Sequence, residues 1–376
     1  MKQNIIILGS TGVLGTKLVN FLFKNNIDIA LLSCFSNYKK LLKQKIFTGT
    51  KLASVLNPDI LFNNNKLTHG DELIFSFIKK KPIKLFYILN TGFDSLKYIE
   101  CIIKFQNNCT IAIANKEILV AGGRILIDSI INSGNKILPL DSEHFSLIDL
   151  IPLRSNINNY ISKIYLTASG GPFYFKKSFN IDNVSFHNAI KHPIWKMGYK
   201  NSIDSSNLVN KILECFELSS LYNIPLSNID ITISPKAYAH SIVFYNDHRI
   251  SINCFNNDMM IPLTSYFSNS KFYKKPKSKI EDVKINDLSF FKFSNKKFQI
   301  LKYKNKIFNF SHSHQIAFMI LNSEAISRFI DNKIKYKEII PFIFNHINVF
   351  PHNKKFKNLY EIIEFTNMIS KKIKSL

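Results

Sequence analysis

Short continuous apolar runs recur along the first third of the chain, and stretches with helical periodicity separate them. Residues 4–8, NIIIL, form the first run; the turn GSTGVLG follows, and TKLVNFLFKN then places apolar residues at helical intervals. IDIALLSC (27–34), KLFYIL (84–89) and CTIAIAN (109–115) read as further buried strands, with a helical stretch near 94–106 between the last two. Strands alternating with helices predict a doubly wound parallel sheet over about the first 140 residues.

The pattern then changes. ILPLDSEH (137–144) is a short strand ending in acidic residues, and KIYLTASGGPF (163–173) is a strand followed by a glycine turn. Residues 205–221 have the pattern of a helix. IDITISP (229–235) and HSIVFYNDHRISINCF (240–255) alternate as strands, the second as a hairpin through Asn246 and Asp247. Residues 268–296 are polar, lysine- and serine-rich and aperiodic, as a linker would be; from about 298 the pattern is helical, with breaks near Pro341 and Pro351. The expected α/β organisation is an N-terminal Rossmann-type sheet over 1–141, a central α+β domain over 142–268, a linker over 269–297 and a C-terminal helical bundle over 298–376.

Composition changes this picture little. With 46% hydrophobic residues the chain can bury its cores. No run of about 18 apolar residues suggests a membrane span, and the N-terminus enters an apolar strand without the marks of a secretory signal. Cys34, Cys101, Cys109, Cys215 and Cys254 are odd in number and form no CxxC, which fits a reducing cytoplasm. The net charge of +24 invites a nucleic-acid reading. Lysines are instead spread over many segments, and Lys, Asn, Ile and Phe are inflated together, so no nucleic-acid partner is expected. The charge still draws small anions, phosphates among them.

Five segments carry chemistry. GSTGVLG spaces Gly9, Gly12 and Gly15 three apart between a strand and a helix, where backbone can approach a pyrophosphate and the helix N-terminus offers free N–H groups. Asn115, Lys116 and Glu117 follow an apolar strand, at the edge where open α/β sheets bind ligands. Asp141 and Glu143 are two apart; in an extended segment they point the same way and present paired carboxylates suited to Mg²⁺ or Mn²⁺. SGGPF (169–173) offers a serine and a glycine nest suited to phosphate. In the helix pattern Asn207, Asn210, Lys211 and Glu214 share one face, with Ser205 and Ser206 at its expected start.

Together with HPIWKMG (192–198), these segments resemble the 1-deoxy-D-xylulose 5-phosphate reductoisomerase family. Order and spacing agree over roughly residues 1–260, and LNSEAISRFIDNKIKYKEII (321–340) is similar to the family's C-terminal helices. The resemblance implies NADPH- and metal-dependent rearrangement and reduction of 1-deoxy-D-xylulose 5-phosphate to 2-C-methyl-D-erythritol 4-phosphate, in non-mevalonate isoprenoid synthesis. It implies that Asp141, Glu143 and Glu214 hold Mg²⁺ or Mn²⁺ and act in catalysis with Lys116. Lys116, Ser142, Glu143, Ser169, His192, Ser205, Asn210, Lys211 and Glu214 would bind substrate. Thr11, Gly12, Val13, Leu14, Asn37, Asn115, Glu117 and Gly198 would line the NADPH site, and Trp195 and Met197 would belong to a lid. A homodimer formed through the middle domain's sheet is also implied.

The chain departs from the family pattern in places. Val13 replaces a small hydroxyl residue, Phe35 stands where the family has a glycine ahead of a lysine or serine (here Ser36) and an asparagine (Asn37), and Ile194 replaces an asparagine. Phenylalanine for glycine removes a permissive backbone position. The competing readings are another Rossmann-type NAD(P)-dependent reductase acting on a phosphorylated sugar, and a basic nucleic-acid-binding protein. The Tyr-x-x-x-Lys spacing of short-chain reductases occurs at Tyr273–Lys277, but Pro276 interrupts it.

Overall fold

A computed structural model describes residues 4–62, 64–151, 160–176, 180–192, 194, 198–268, 288–293 and 297–374. The chain divides into two compact units. The first contains the residues up to Ile118, Ile125–Phe145 and the described stretch from Asp258 to Ser268. The second contains Leu119–Arg124, Ser146–Asn257 and the described residues from 288 onward.

In the first unit β1 (Ile5–Leu8), β2 (Leu31–Cys34), β3 (Leu52–Val55), β4 (Thr68–His69), β5 (Leu85–Ile88), β6 (Thr110–Ile113) and β7 (Lys136–Pro139) form one sheet in the order β4-β3-β2-β1-β5-β6-β7. Every pairing is parallel. Helices α1 (Val13–Lys24), α2 (Tyr38–Thr48), α3 (Glu72–Lys80), α4 (Leu96–Phe105) and α5 (Lys116–Asn132) connect the strands. The central strands β1 and β5 are fully buried, which is why they read as unbroken apolar runs. The chain winds outward from β1 in one direction, then resumes on the other side at β5, so the switch point lies between their carboxyl ends. Ligands bind at that point in such sheets. After β7 a single turn, α6 (Ser142–Phe145), closes the first pass.

The second unit holds β8 (Ile161–Ala168), then α7 (Phe186–Ala189), α8 (Tyr199–Asn207) and α9 (Val209–Tyr222), then β9 (Ile229–Ile233), β10 (Ala239–Tyr245) and β11 (Ile250–Cys254). Its strands are ordered β11-β10-β8-β9, with β8 and β9 parallel and the other pairs antiparallel. The hairpin spends residues 246–249 on its turn. The chain next returns to the first unit as α10 (Met260–Thr264), where Leu263 and Phe267 join the apolar cluster that includes Leu18, Phe21 and Leu22 of α1. The buried Tyr87 hydroxyl donates to the Leu263 carbonyl at 2.6 Å. Grouping 258–268 with the central domain, as the pattern suggested, misses this return. The C-terminal helices α11 (Lys304–Phe308), α12 (His312–Ile330), α13 (Ile339–His346) and α14 (Leu359–Lys374) lie in the same unit as the four-stranded sheet. Phe216 of α9 meets Phe318 of α12 edge to face, with centroids 6.1 Å apart. Pro341 sits inside the first turn of α13, where a missing N–H costs nothing, so the expected break there is instead a start.

The turn after β1 depends on glycines for two different reasons. A Cβ on Gly15 would lie 2.3 Å from the Gly9 carbonyl oxygen, and one on Gly9 would lie 2.6 Å from the Asn90 nitrogen after β5. A Cβ on Gly12 would meet nothing nearer than 3.4 Å. Gly15→Ala is therefore expected to lower stability by about 1–3 kcal/mol through overpacking, whereas Gly12→Ala shifts it by less than about 0.5 kcal/mol. Denaturant midpoints of the two variants test this, and equal losses would contradict the distinction.

Candidate active site

The first unit presents its candidate residues along the carboxyl edge of the sheet. After β1, Gly9 has φ +86°, and the Gly9 and Ser10 amides donate to the Ser33 carbonyl. The buried Ser10 hydroxyl donates to Gln44 Oε1 at 2.8 Å, and Gln44 Nε2 returns a bond to the Ser10 carbonyl at 2.8 Å. Helix α1 then begins with Gly12 at its N-cap, with no side-chain cap and no acidic residue in its first turn. Its free N–H groups and positive dipole end stay available to an anion. Gly12 and Val13 are exposed there, and Thr11 and Leu14 are half-buried. Asn37 caps α2, its side-chain oxygen accepting from the Lys40 amide at 3.1 Å. Phe35 lies at negative φ, so phenylalanine costs nothing here in backbone strain, contrary to what the loss of glycine suggested.

Asn115 ties neighbouring strand ends together. Its oxygen accepts from the Ile118 amide at 3.0 Å, and its nitrogen donates to the carbonyls of Asn90 at 2.7 Å and Gly92 at 2.9 Å. It thus fixes the loop after β5 and starts α5, placing Lys116 on the first helical turn; Glu117 beside it is buried. The Lys116 ammonium pairs with the Asp141 carboxylate. Burial opposes ionisation of Asp141. The charges of Lys116 and His144 and the hydrogen bonds from Glu143 and Lys116 outweigh that opposition and hold the carboxyl well below the usual carboxylate range.

The segment Asp141–Glu143 is not extended. The Glu143 amide donates to Asp141 Oδ1 at 3.2 Å and the Phe145 amide to the Asp141 carbonyl at 2.8 Å, so Asp141 starts the turn α6. The same-face argument for a strand does not apply. Glu143 receives a hydrogen bond from its neighbour Ser142 at 2.6 Å.

The second unit has candidate polar residues of its own. Ser169 ends β8, and its hydroxyl lies 3.2 Å from His192 Nε2. His192 Nδ1 accepts from the Ile194 amide at 3.2 Å, so in the neutral ring the proton sits on Nε2 and points at Ser169. Burial, reinforced by the Lys211 charge, lowers the His192 pKa to about 4. The glycine turn after Ser169 packs against α8: a Cβ on Gly171 would lie 2.9 Å from the Ser205 carbonyl.

The helix expected over 205–221 is two helices. Leu208, at φ +68°, ends α8 and precedes α9, so Ser205 and Ser206 occupy the last turn of one helix rather than the first of another. Ser206 faces the interior, donating to the Ile203 carbonyl at 2.7 Å and meeting the Tyr336 hydroxyl at 2.8 Å. Asn207 is the last residue of α8, its side-chain oxygen accepting from the Val209 amide at 2.9 Å, so it does not lie on the α9 face it was expected to share. Asn210 and Lys211 both engage the Glu214 carboxylate, and the Lys211 and Glu214 side chains are only 6% and 2% exposed.

Asn322 of α12 adds a polar contact that no sequence signal marked. Asp204 is buried and accepts from Asn322 Nδ2 at 2.7 Å, a contact from α12. Gly198 is the exposed N-cap of α8. The expected lid residues Trp195 and Met197, and the Tyr273–Lys277 spacing, lie outside the described residues.

Comparison with known proteins decides what this arrangement belongs to. A model of 1-deoxy-D-xylulose 5-phosphate reductoisomerase matches residues 5–123, and two models of that enzyme's C-terminal domains match 137–222 and 256–372. The reductoisomerase of Pelagibacter ubique is 35% identical, covering 100% of this chain and 99% of its own length. The chain belongs to the 1-deoxy-D-xylulose 5-phosphate reductoisomerase family. The reductoisomerase of Clostridium novyi is 30% identical, with 96% of each chain covered. A solved reductoisomerase from Zymomonas mobilis, in complex with NADPH, superposes with a TM-score of 0.85 at 25% identity, covering 100% of this chain and 99% of that one. Another, solved with NADPH, fosmidomycin and magnesium, gives 0.86 at 25% identity and covers 99% and 97%. Reductoisomerase membership sets aside the short-chain reductase and nucleic-acid readings.

His192 carries a pH signature. Its folded pKa of about 4 lies below the value near 6.5 of an unfolded histidine. Above pH 6.5 the shift costs nothing. As pH falls from about 6.5 to about 4 the unfolded chain binds a proton that the folded chain refuses, and stability is lost over that window. His192→Asn should flatten this part of the stability profile. Parallel profiles for the two proteins, from denaturation at a series of pH values, would show the assignment wrong.

Proposed function

We propose that this chain's own residues carry the family reaction in full: rearrangement of 1-deoxy-D-xylulose 5-phosphate and reduction to 2-C-methyl-D-erythritol 4-phosphate, with NADPH and a divalent cation. The observation that carries the reading is the buried cluster of Asn210, Lys211 and Glu214 beside the Ser169–His192 pair. An ion pair buried this completely gains little stability over apolar packing. It is better explained as a placed binding group. In this reading Lys211, Asn210, Ser205, Ser169 and neutral His192 hold the substrate, chiefly at its phosphate. Remote binding energy of that kind can be used to orient the reacting end.

The residues present fit the cation. Asp141, Glu143 and Glu214 are hard oxygen donors of the kind that Mg²⁺ and Mn²⁺ take. Lysines pair with two of them, Lys116 with Asp141 and Lys211 with Glu214, so both places already accommodate positive charge. We assign all three carboxylates to one ion, with Mn²⁺ serving as well as Mg²⁺. A bound divalent ion supplies Lewis acidity to adjacent substrate oxygens that gain negative charge. Lys116 would add a second positive charge at the reacting end and a proton donor for a substrate oxygen there that gains negative charge. Asp141, held ionised, pairs with the Lys116 ammonium and keeps it in place.

The fit to NADPH rests on the turn after β1, where α1 offers uncapped N–H groups beside the exposed Gly12. Thr11, Val13, Leu14, Asn37, Asn115, Glu117 and Gly198 complete that site in this reading, with Asn115 acting by fixing the loop after β5. By function we divide the chain into a cofactor stretch (1–141), a catalytic and dimerising stretch (142–268, its last residues returning to the first unit) and a helical stretch (298–376); the expected linker (269–297) lies mostly outside the described residues. A homodimer through the four-stranded sheet is supported by the edge strand β11, whose Ile250 and Ile252 are exposed. Five free cysteines support a cytoplasmic location. Among the described residues no helix is long and apolar enough to cross a membrane.

The purified protein should oxidise NADPH on addition of 1-deoxy-D-xylulose 5-phosphate when Mg²⁺ or Mn²⁺ is present, and should stop when the ion is chelated. Glu214→Gln should lose about a thousandfold in turnover while keeping its circular dichroism, the scale expected for removing charge stabilisation at a reacting centre. No cofactor oxidation by wild type under these conditions overturns the reading.

A further inference from the structure

We infer that this chain distinguishes NADPH from NADH through Lys40, and that the exposed ring of Phe35 holds the adenine that both cofactors share. The inference rests on the cofactor reading above and goes beyond it, because the lysine or serine that the family pattern places after the second strand is here Ser36.

In a doubly wound sheet the strand beside the glycine turn ends where the adenosine ribose lies. A carboxylate there favours NAD by accepting from the 2′-hydroxyl, and a cation there accommodates the 2′-phosphate of NADP. Strand β2 pairs directly with β1, so the residues after Cys34 occupy that place. No Asp or Glu occurs between Asp28 and Asp59, so the loop carries nothing that would select the free hydroxyl or repel a phosphate. Ser36 can offer a hydroxyl but no charge.

The charge comes from the next turn of chain. Asn37 caps α2 by accepting from the Lys40 amide, which fixes the backbone at residue 40. The Lys40 side chain then reaches back to the glycine turn, its ammonium donating to the Thr11 carbonyl at 2.8 Å. One bond to a carbonyl leaves two N–H donors of the ammonium for an anion. The contact parks the charge between the uncapped start of α1 and the end of β2, the two elements that flank the adenosine end of a dinucleotide. Lys39, the neighbouring candidate, is exposed and makes no comparable contact to the turn.

Phe35 is the first residue past β2. Its amide region is anchored, since its carbonyl accepts from the Asn57 amide at 2.9 Å, yet the residue is 60% exposed. A large ring left in water at a ligand edge, on a backbone without strain, suits a base that stacks on its face.

Two variants separate the parts. Fluorescence titration of the full chain with NADPH and with NADH reads binding apart from turnover. Lys40→Ala should weaken NADPH about tenfold, the loss of a charge-assisted bond to phosphate, and change NADH by less than twofold; Lys40→Arg should keep the preference. Phe35→Ser should weaken both cofactors by a similar factor, about tenfold. Competition by 2′,5′-ADP against ADP should lose its advantage in Lys40→Ala alone. If Lys40→Ala keeps the wild-type preference, or Lys39→Ala removes it, the assignment is overturned while the cofactor reading stands. If wild type binds neither cofactor, both are overturned.

Discussion

Burying charge beside charge is the constraint on which the second unit's chemistry depends. Lys211 and Glu214 lie on α9, a helix that is otherwise packed with Ile212, Leu213, Cys215, Phe216 and Leu218. Removing both ions from water costs several kcal/mol each, and their mutual attraction repays that only with close geometry and further hydrogen bonds. Asn210 supplies one such bond to Glu214. The apolar neighbours offset the remainder through burial, so the helix tolerates a pair that folding alone does not need. The same charge reaches His192, whose neutrality follows from burial first and from Lys211 second. One lysine is thus both a carboxylate's partner and a contributor to a histidine's neutrality.

The first unit solves a similar problem differently. Its Lys116–Asp141 pair stands at the carboxyl edge of the sheet, and each side chain keeps some exposure. The backbone does the positioning there. Asn115 spends its whole amide on tying strand ends and starting α5, and Asp141 starts the single turn that carries Glu143. The candidate residues Lys116 and Glu143 sit one and two residues beyond Asn115 and Asp141, which anchor the local backbone.

That division explains how much was legible from the chain. The β1–turn–α1 unit, β2, β5, β6, the strand before Asp141 and the hairpin of the second sheet were all visible as apolar runs, because these strands are buried on both faces or alternate cleanly. The chemistry-bearing residues were visible too, as types and spacings. What escaped was local backbone. Leu208 in the left-handed region breaks a helix that its periodicity would continue, since a leucine gives no warning of positive φ. Asp141 and Glu143 read as strand because an apolar run precedes them. β4 has only two residues, and β3, LASV, is too small and polar to read as an apolar run. Contacts from Asn322 and Tyr336 were invisible for another reason: each reaches more than a hundred positions back along the chain.

Departures from the family pattern sort by the same logic. A glycine that packing requires cannot drift: Gly9 and Gly15 each hold space that backbone atoms of a neighbouring turn occupy. Gly12 has room for a side chain, so only a ligand's approach can keep it a glycine. Val13, exposed beside it, is free of the core and has changed. Phe35 shows the converse case, because a residue at negative φ and facing water can exchange glycine for a ring without strain. Such a change alters the surface of the loop after β2 and leaves the core untouched, whereas the Lys211–Glu214 pair on α9 is buried among apolar neighbours and has no such freedom.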